Sequence, residues 1–104
     1  LTVNAYYNEK MQYASESITT NYRAKLDIGS LAKQAGLSKS HFRKIFRETH
    51  NISPRGLHQQ TRMRRACEML SYTRMNVSEI AEELGFSNIN NFSRAFRNAT
   101  SISP

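Results

Sequence analysis

Two clusters of cationic and polar side chains, each at helical spacing, are the residues of this chain best suited to contacting another molecule. The first cluster consists of Lys39, Ser40, Arg43, Lys44 and Arg47. The second cluster consists of Ile89, Asn90, Asn91, Arg94 and Arg97. Lysine and arginine neutralise phosphates and bind guanine edges, asparagine suits adenine, and isoleucine can contact the thymine methyl group. Both clusters therefore indicate recognition of nucleic-acid bases.

The two clusters lie in a duplicated sequence. Leu31–Ser38 is repeated as Ile80–Ser87 at an offset of 49 residues (38 to 87), whereas Phe42 and Phe46 are repeated at an offset of 50 (42 to 92). One residue is therefore inserted where the last helix of the second copy begins. Two copies of a helical unit predict two equivalent contacts with a repeating partner, and duplex DNA repeats with every helical turn.

The elements that must position these clusters are predicted to be α-helices. Apolar residues recur at helical spacing, Gly and Pro are scarce, and β-branched runs are absent. The predicted fold class is therefore all-α. Helices are expected over about 5–21, 28–35, 39–49, 54–71, 77–84 and 88–98.

Residue types also predict the helix ends and the buried anchors. The predicted N-caps are Asp27, Ser38, Ser53, Asn76 and Ser87, with a capping box between Asn76 and Glu79. Helices are expected to end at Gly36, Asn51 and Gly85, which suit a left-handed conformation. The expected apolar anchors of the first helix are Tyr6, Tyr13, Ile18 and Tyr22. Cys67 is expected to be a small core residue of the fourth helix.

Each copy reads helix, glycine turn, helix, which is the pattern of a helix-turn-helix unit. Projection at about 100° per residue places the Phe pair of each second helix on one face and the cluster residues on the other. The chain is therefore divided into a first helix-turn-helix unit (about 5–52), a connector helix (about 54–71) and a second unit (about 76–104). A connector of about 27 Å can bring the two presented helices close to the 34 to 36 Å of one DNA turn.

Charge and composition favour an anionic partner inside the cell. The chain carries a net charge of +7, and the excess lies in its middle, with about +4 in each of the segments 28–54 and 55–74. Cys67 is the only cysteine, so we expect a reducing, cytoplasmic environment. No membrane-spanning run or signal peptide is evident, so no membrane partner is expected. A start at Leu1 and a stop at Pro104 suggest a piece of a longer protein.

The chain resembles the DNA-binding domain of the AraC/XylS family of bacterial transcription regulators over nearly all of residues 5–104. The matching residues are Leu31-Ala32, Gly36, Ser38, Phe42 to Arg47, Ile52-Ser53-Pro54, Arg62-Met63, Ala66, Met69-Leu70, Ile80-Ala81, Gly85-Phe86-Ser87, Phe92, Arg94 and Phe96-Arg97. The resemblance implies seven helices, the last one following Pro104, and promoter binding that activates or represses. It implies that the base-facing residues are Ser40, Arg43, Lys44, Ile89, Asn90, Asn91 and Arg94.

The resemblance also implies partners outside this chain. Double-stranded promoter DNA is the expected ligand, RNA polymerase is a candidate partner, and a ligand-sensing or dimerising domain is expected elsewhere in the parent protein. The sequence departs from the family pattern at a few positions, none of them in the two clusters. Asn51 and Ser101 stand where the family usually has glycine, Gly56 and His58 replace an aromatic neighbourhood and an aliphatic residue, and Gly29 lies within a helix.

Other interpretations of the same residues carry less weight. The Phe pairs could stack on single-stranded bases, but their position opposite the cations favours core packing. Ser38, Arg64, Arg65 and Ser87 are candidate phosphate contacts, although the two arginines could equally be solvated. Three histidines and one cysteine lack the spacing of a zinc site, so no metal or cofactor is expected. A basic module that binds RNA or protein is the main alternative, and no enzyme site can be assembled.

Overall fold

The computed structural model describes residues 3–101 and 104, with side chains described from Tyr6 onward. This part of the chain contains six α-helices and no strand, so the prediction of an all-α fold is confirmed. The helices are α1 (Val3–Thr20), α2 (Ile28–Ala35), α3 (Lys39–His50), α4 (Pro54–Tyr72), α5 (Val77–Glu83) and α6 (Ile89–Thr100). Among the helices described, none has the length and hydropathy that crossing a bilayer requires.

Most helix ends are set by the residues that the sequence predicted. The side chains of Asp27 and Ser38 accept hydrogen bonds from the backbone three residues later and so begin α2 and α3. Asn76 and Glu79 form both bonds of the predicted capping box, each at 2.8 Å. Asn51 ends α3 in the left-handed conformation at φ 60°. These predictions are confirmed because the caps depend only on local sequence.

The predicted cap of α6 is wrong by one residue. Ser87 was expected to begin the helix, but the side chain of Asn88 accepts the bond from the backbone N–H of Asn91 at 2.8 Å. The N-caps Ser38 and Asn88 are 50 residues apart, the same offset as the Phe pairs. Ser87 is therefore the inserted residue of the second copy, and it lies just before the cap.

The chain folds as two compact units, and α4 continues from one into the other. The first unit runs to Asn21 and continues over Leu26–His58. Its core is formed by one apolar face from each of three helices, namely Met11, Ala14, Ile18, Leu31, Ala32, Ala35, Phe42, Ile45 and Phe46. Tyr6 and Tyr13 were predicted as anchors of α1, but they are 74% and 60% exposed. The inward face of α1 is the one that carries Met11, Ala14 and Ile18, which are buried against α2 and α3.

The second unit comprises Tyr22–Lys25 and the chain from Gln59 onward. Its buried core consists of Met63, Ala66, Ile80, Ala81, Leu84, Phe92 and Phe96, and Tyr22 packs against this core. Cys67 was predicted as a core residue, but it is exposed. It follows the fully buried Ala66 and is turned about 100° away from it around the helix, which takes it off the packed face.

Candidate nucleic-acid interface

The first candidate surface is the outer face of α3. Phe42, Ile45 and Phe46 are buried in the core of the first unit and hold one side of this helix. The opposite side is exposed and carries all five residues of the first predicted cluster: Lys39, Ser40, Arg43, Lys44 and Arg47. Core packing therefore turns four cations of one helix outward together, where they are free to contact an anionic polymer.

The N-terminus of α3 is fixed by Ser38, which was predicted as a candidate phosphate contact. Its Oγ accepts a hydrogen bond from the backbone N–H of His41 at 3.2 Å. Because a hydroxyl that accepts still has its own hydrogen, exposed Ser38 can also donate to a phosphate oxygen. The positive end of the helix dipole adds to the attraction for an anion at this position.

The second candidate surface is the outer face of α6. Phe92 and Phe96 are buried and lie with their ring centroids 5.8 Å apart, as Phe42 and Phe46 do at 5.7 Å in the first unit. The exposed side carries all five residues of the second predicted cluster: Ile89, Asn90, Asn91, Arg94 and Arg97. Ile89 is 40% exposed, so its side chain is accessible to a binding partner.

The two arginines of α4 that were predicted as candidate phosphate contacts differ in their surroundings. Arg64 is exposed. Arg65 donates to the carboxylate of Glu68 at 3.1 Å, and its guanidinium lies 5.4 Å from the ring centroid of Tyr22. Arg65 must give up or share these contacts to bind a phosphate.

A known family of domains contains two helix-turn-helix units, each with an exposed polar helix. A profile described as a helix-turn-helix domain matches residues 31–104, well over half of the chain. The chain belongs to the AraC/XylS family of helix-turn-helix DNA-binding domains. The C-terminal domain of AraT, a response regulator from Geobacillus stearothermophilus, is similar with a TM-score of 0.84 at 28% identity, over 91% of this chain and 79% of that one.

Curated relatives of this AraC/XylS domain regulate bacterial operons, according to their names. The Msm operon regulatory protein of Streptococcus mutans is 33% identical over 99% of this chain and 36% of the relative. The lactose operon transcription activator of Staphylococcus xylosus is 30% identical over 92% of this chain and 34% of the relative. The chain thus spans about a third of the length of these relatives.

Two further residues of this AraC/XylS domain lie at the candidate surfaces, although neither was predicted. His41 is exposed on α3, 50 residues before Asn91, and its ring packs edge-on against Tyr7 at 5.9 Å. The repeat offset could have identified His41. Gln59 of α4 borders a shallow depression of about 450 Å³ that is also lined by Asn91 and Arg94. Only the packing of the second unit places Gln59 there.

The turn that leads into α6 of this AraC/XylS domain is fixed by Arg62 of α4. The guanidinium carbon of Arg62 lies 3.7 Å from the ring centroid of Phe86, and its Nε donates to the carbonyl of Leu84 at 3.2 Å. Burial lowers the pKa of Arg62, and the side chain stays charged at neutral pH because an arginine pKa is so high. Arg62 therefore holds the turn that precedes α6 in place.

Within the part of the chain that the structure describes, acidic, histidine and cysteine side chains do not gather into a further candidate site. In residues 3–101 and 104, no group of three or more His, Cys, Asp or Glu residues could hold a metal ion. Glu79 is used in the capping box of α5, and Glu83 pairs with Arg23 at 3.3 Å. These acids therefore have structural partners within the second unit.

Proposed function

We propose that this chain binds double-stranded promoter DNA in a sequence-specific manner, with α3 and α6 as recognition helices that read successive major grooves. The observation that carries the proposal is a pattern of buried and exposed residues that the two helices share. Each buries a Phe pair four residues apart and exposes a polar face, yet the exposed residues differ between the two copies. Repeated scaffold with different outer residues is what reading two different half-sites requires.

We assign the base contacts to the middle and the start of each recognition helix. On α3 these are Ser40, Arg43 and Lys44, and we assign Lys39 and Arg47 to phosphate contacts. On α6 they are Ile89, Asn90, Asn91 and Arg94, and we assign Arg97 to a phosphate contact. Arginine and lysine suit guanine, asparagine suits adenine, and Ile89 suits a thymine methyl group. Ser38, Ser87, Arg64 and Arg65 are exposed and are the proposed phosphate contacts, although Arg65 would have to share its bond with Glu68.

Because the two outer faces are chemically different, the proposed site is asymmetric. A single chain would contact two dissimilar half-sites instead of the two equal halves of a palindrome. The first face is the more cationic, with Lys39, Arg43, Lys44 and Arg47 against Glu48. The second face relies more on amides. We therefore expect a G/C-containing half-site for α3 and an A/T-containing half-site for α6.

The parent protein is proposed to be a bacterial regulator with a further domain that senses a signal or dimerises. Two of the relatives described above are named as an operon regulator and an operon activator, and this chain spans about a third of each. A cytoplasmic location, contact with RNA polymerase at the promoter, and a role without catalysis are parts of the same proposal. The lactose operon relative is named as an activator, so we favour activation.

The test is selection of duplexes from a random library with the 104-residue chain, followed by binding measurements at physiological salt. We expect the selected duplex to bind more tightly than a scrambled duplex of equal length and composition. Affinity for both should fall steeply with added salt, since each neutralised phosphate releases counterions. Structured RNA of equal charge serves as the competitor. Equal affinities for selected and scrambled DNA, or stronger competition by RNA, would contradict the proposal.

A further inference from the structure

We infer that Ser87 is a positioning residue that holds the amide of Asn91 in the orientation needed to read an adenine. The inference rests on the proposed function, because it assigns a role within the DNA surface of α6. Asn91 Nδ2 donates a hydrogen bond to Ser87 Oγ at 2.8 Å, and both residues are exposed. The bond therefore forms at the surface and has no part in filling the core.

Asn91 is fixed at both its backbone and its side chain. Its backbone N–H donates to Asn88 Oδ1 at 2.8 Å, and its side-chain amide donates to Ser87. A free asparagine side chain on a helix samples several rotamers, and binding a base would cost the entropy of choosing one. The bond to Ser87 makes that choice before DNA arrives, which is the general benefit of preorganisation.

The remaining hydrogen-bonding groups of Asn91 match an adenine edge. An asparagine amide has two N–H donors and one carbonyl acceptor. One donor is used by Ser87, which leaves one N–H and the Oδ1 acceptor. A bidentate contact with adenine uses one N–H for N7 and one oxygen for the N6 amino group. The amide N–H trans to Oδ1 can serve Ser87 while the cis N–H and Oδ1 contact the base, so one asparagine can make both sets of bonds.

Ser87 has no counterpart in the first copy. In that copy Leu37 directly precedes the cap Ser38, and it packs against the core of the first unit. In the second copy Phe86 takes the packed position, with its ring 5.4 Å from that of Phe92, and Ser87 is inserted between it and the cap. The insertion thus adds a hydroxyl beside the recognition helix without removing a core contact.

The experiment compares base preference, not overall affinity, in variants of the full chain. The selected duplex is prepared with each of the four base pairs at every position of the α6 half-site. Asn91→Ala identifies the position that Asn91 reads, where the wild type should prefer adenine by about 5- to 150-fold. Ser87→Ala should weaken that preference by about three- to ten-fold, as expected for one lost hydrogen bond. Ser87→Thr retains the hydroxyl and should restore it.

Two further variants separate positioning from other roles. Ser87→Ala in an Asn91→Ala background should change the preference no further, because the serine acts through the asparagine. Ser78→Ala, at an exposed serine of α5, should leave the preference at wild-type strength. All variants should unfold at nearly the same temperature, since the bond is exposed.

Four results would overturn the inference, and one of them would also overturn the proposed function. Wild-type preference in Ser87→Ala, or an equal loss of affinity for all four base pairs, removes the positioning role and leaves the proposed function standing. Retention of the adenine preference in Asn91→Ala also removes the positioning role and leaves the proposed function standing. Absence of any base preference in the wild type would remove both.

Discussion

Gly85 lies directly against the backbone carbonyl of Arg23, within the second unit. A Cβ atom at Gly85 would come 2.1 Å from the carbonyl oxygen of Arg23, a distance that no real contact permits. Gly36, the equivalent residue of the first unit, has nothing closer than the flexible end of Lys10, at 4.0 Å. Both glycines end a helix at positive φ, 72° and 82°, with the same backbone hydrogen bonds. Their local geometry is equal, but their tertiary surroundings are not.

We expect Gly85→Ala to destabilise the chain more than Gly36→Ala. The left-handed conformation costs an alanine about 1 to 2 kcal/mol at either position. Gly85→Ala adds the clash with the Arg23 carbonyl, which raises the total to about 2 to 5 kcal/mol by the usual cost of overpacking. Urea unfolding followed by circular dichroism measures the difference. Equal losses for the two variants would show that the 23–85 contact does not form.

Arg62 should be irreplaceable by lysine. Its planar guanidinium stacks on Phe86 while Nε donates to the Leu84 carbonyl, and a lysine ammonium cannot make both contacts. We expect Arg62→Lys to lower the free energy of unfolding by about 1 to 3 kcal/mol. Arg64→Lys is the matched control, because Arg64 is an exposed arginine of the same helix and should change stability by less than about 0.5 kcal/mol. A similar loss in both would contradict the role given to Arg62.

The non-glycine residues that end α3 and α6 should be sites of stabilisation. Asn51 and Ser101 adopt φ values of 60° and 65°, where asparagine is tolerated better than serine. We therefore expect Ser101→Gly to stabilise by about 0.5 to 1 kcal/mol after the entropy of the unfolded glycine is deducted, and Asn51→Gly by less. Ser71→Gly, within α4, should instead destabilise by a similar amount. Thermal unfolding of the three variants gives the order.

Asp27 should make the start of α2 sensitive to acid. The pKa of Asp27 is lowered from 3.8, chiefly because its carboxylate accepts the backbone N–H of Ser30 and then also the Ser30 hydroxyl. A depressed folded pKa means that this contribution to stability is present above pH 3.8 and is lost as the pH falls through the lower, folded value. Carbon-detected NMR titration should give an Asp27 pKa below 3.8, and Ser30→Ala should raise it.

The Asp27→Asn variant isolates this acid effect. Asparagine still accepts the bond from the Ser30 N–H as an N-cap, but it does not titrate. We expect the variant to retain α2 and to lose less stability than the wild type between pH 4 and pH 2. A wild-type Asp27 that titrates above 3.8 would contradict the hydrogen bonding at this cap.

Arg43→Ala and Arg94→Ala should affect different base pairs of the selected duplex. Each should cost about 1 to 3 kcal/mol of binding free energy and relax the preference at its own position, about one helical turn from the other. Arg74→Ala is the matched control, because Arg74 is exposed in the segment after α4 and belongs to neither recognition helix. Relaxation of the same base pair by Arg43→Ala and Arg94→Ala would contradict two-groove reading.

The local features of this fold could be predicted because they depend on neighbours in the sequence. An N-cap such as Asp27 or Ser38 acts over three residues, so residue type and spacing identify it. The amphipathic faces of α3 and α6 follow from the helical period, which separates the Phe pairs from the polar residues. The exposed positions of both clusters follow from that period alone.

The errors arose where the sequence offered two equivalent choices. Tyr6 and Tyr13 are as apolar as many core residues, but smaller side chains of α1 face the core. Ser87 and Asn88 are both good N-caps, and the register of the following Phe pair selects Asn88. Cys67 lies at the edge of the packed face of α4, where composition cannot tell burial from exposure. Each choice depends on how a neighbouring helix packs.

The sequence by itself determined the six helices of the described residues, most of their caps and the two outward polar faces, because these follow from interactions within a few residues. Only the tertiary structure decided which of two equivalent glycines faces a carbonyl, which arginine of α4 supports the turn before α6, and that Gln59 borders Asn91. Those relationships join residues far apart in the chain, and close packing of side chains is what sets them.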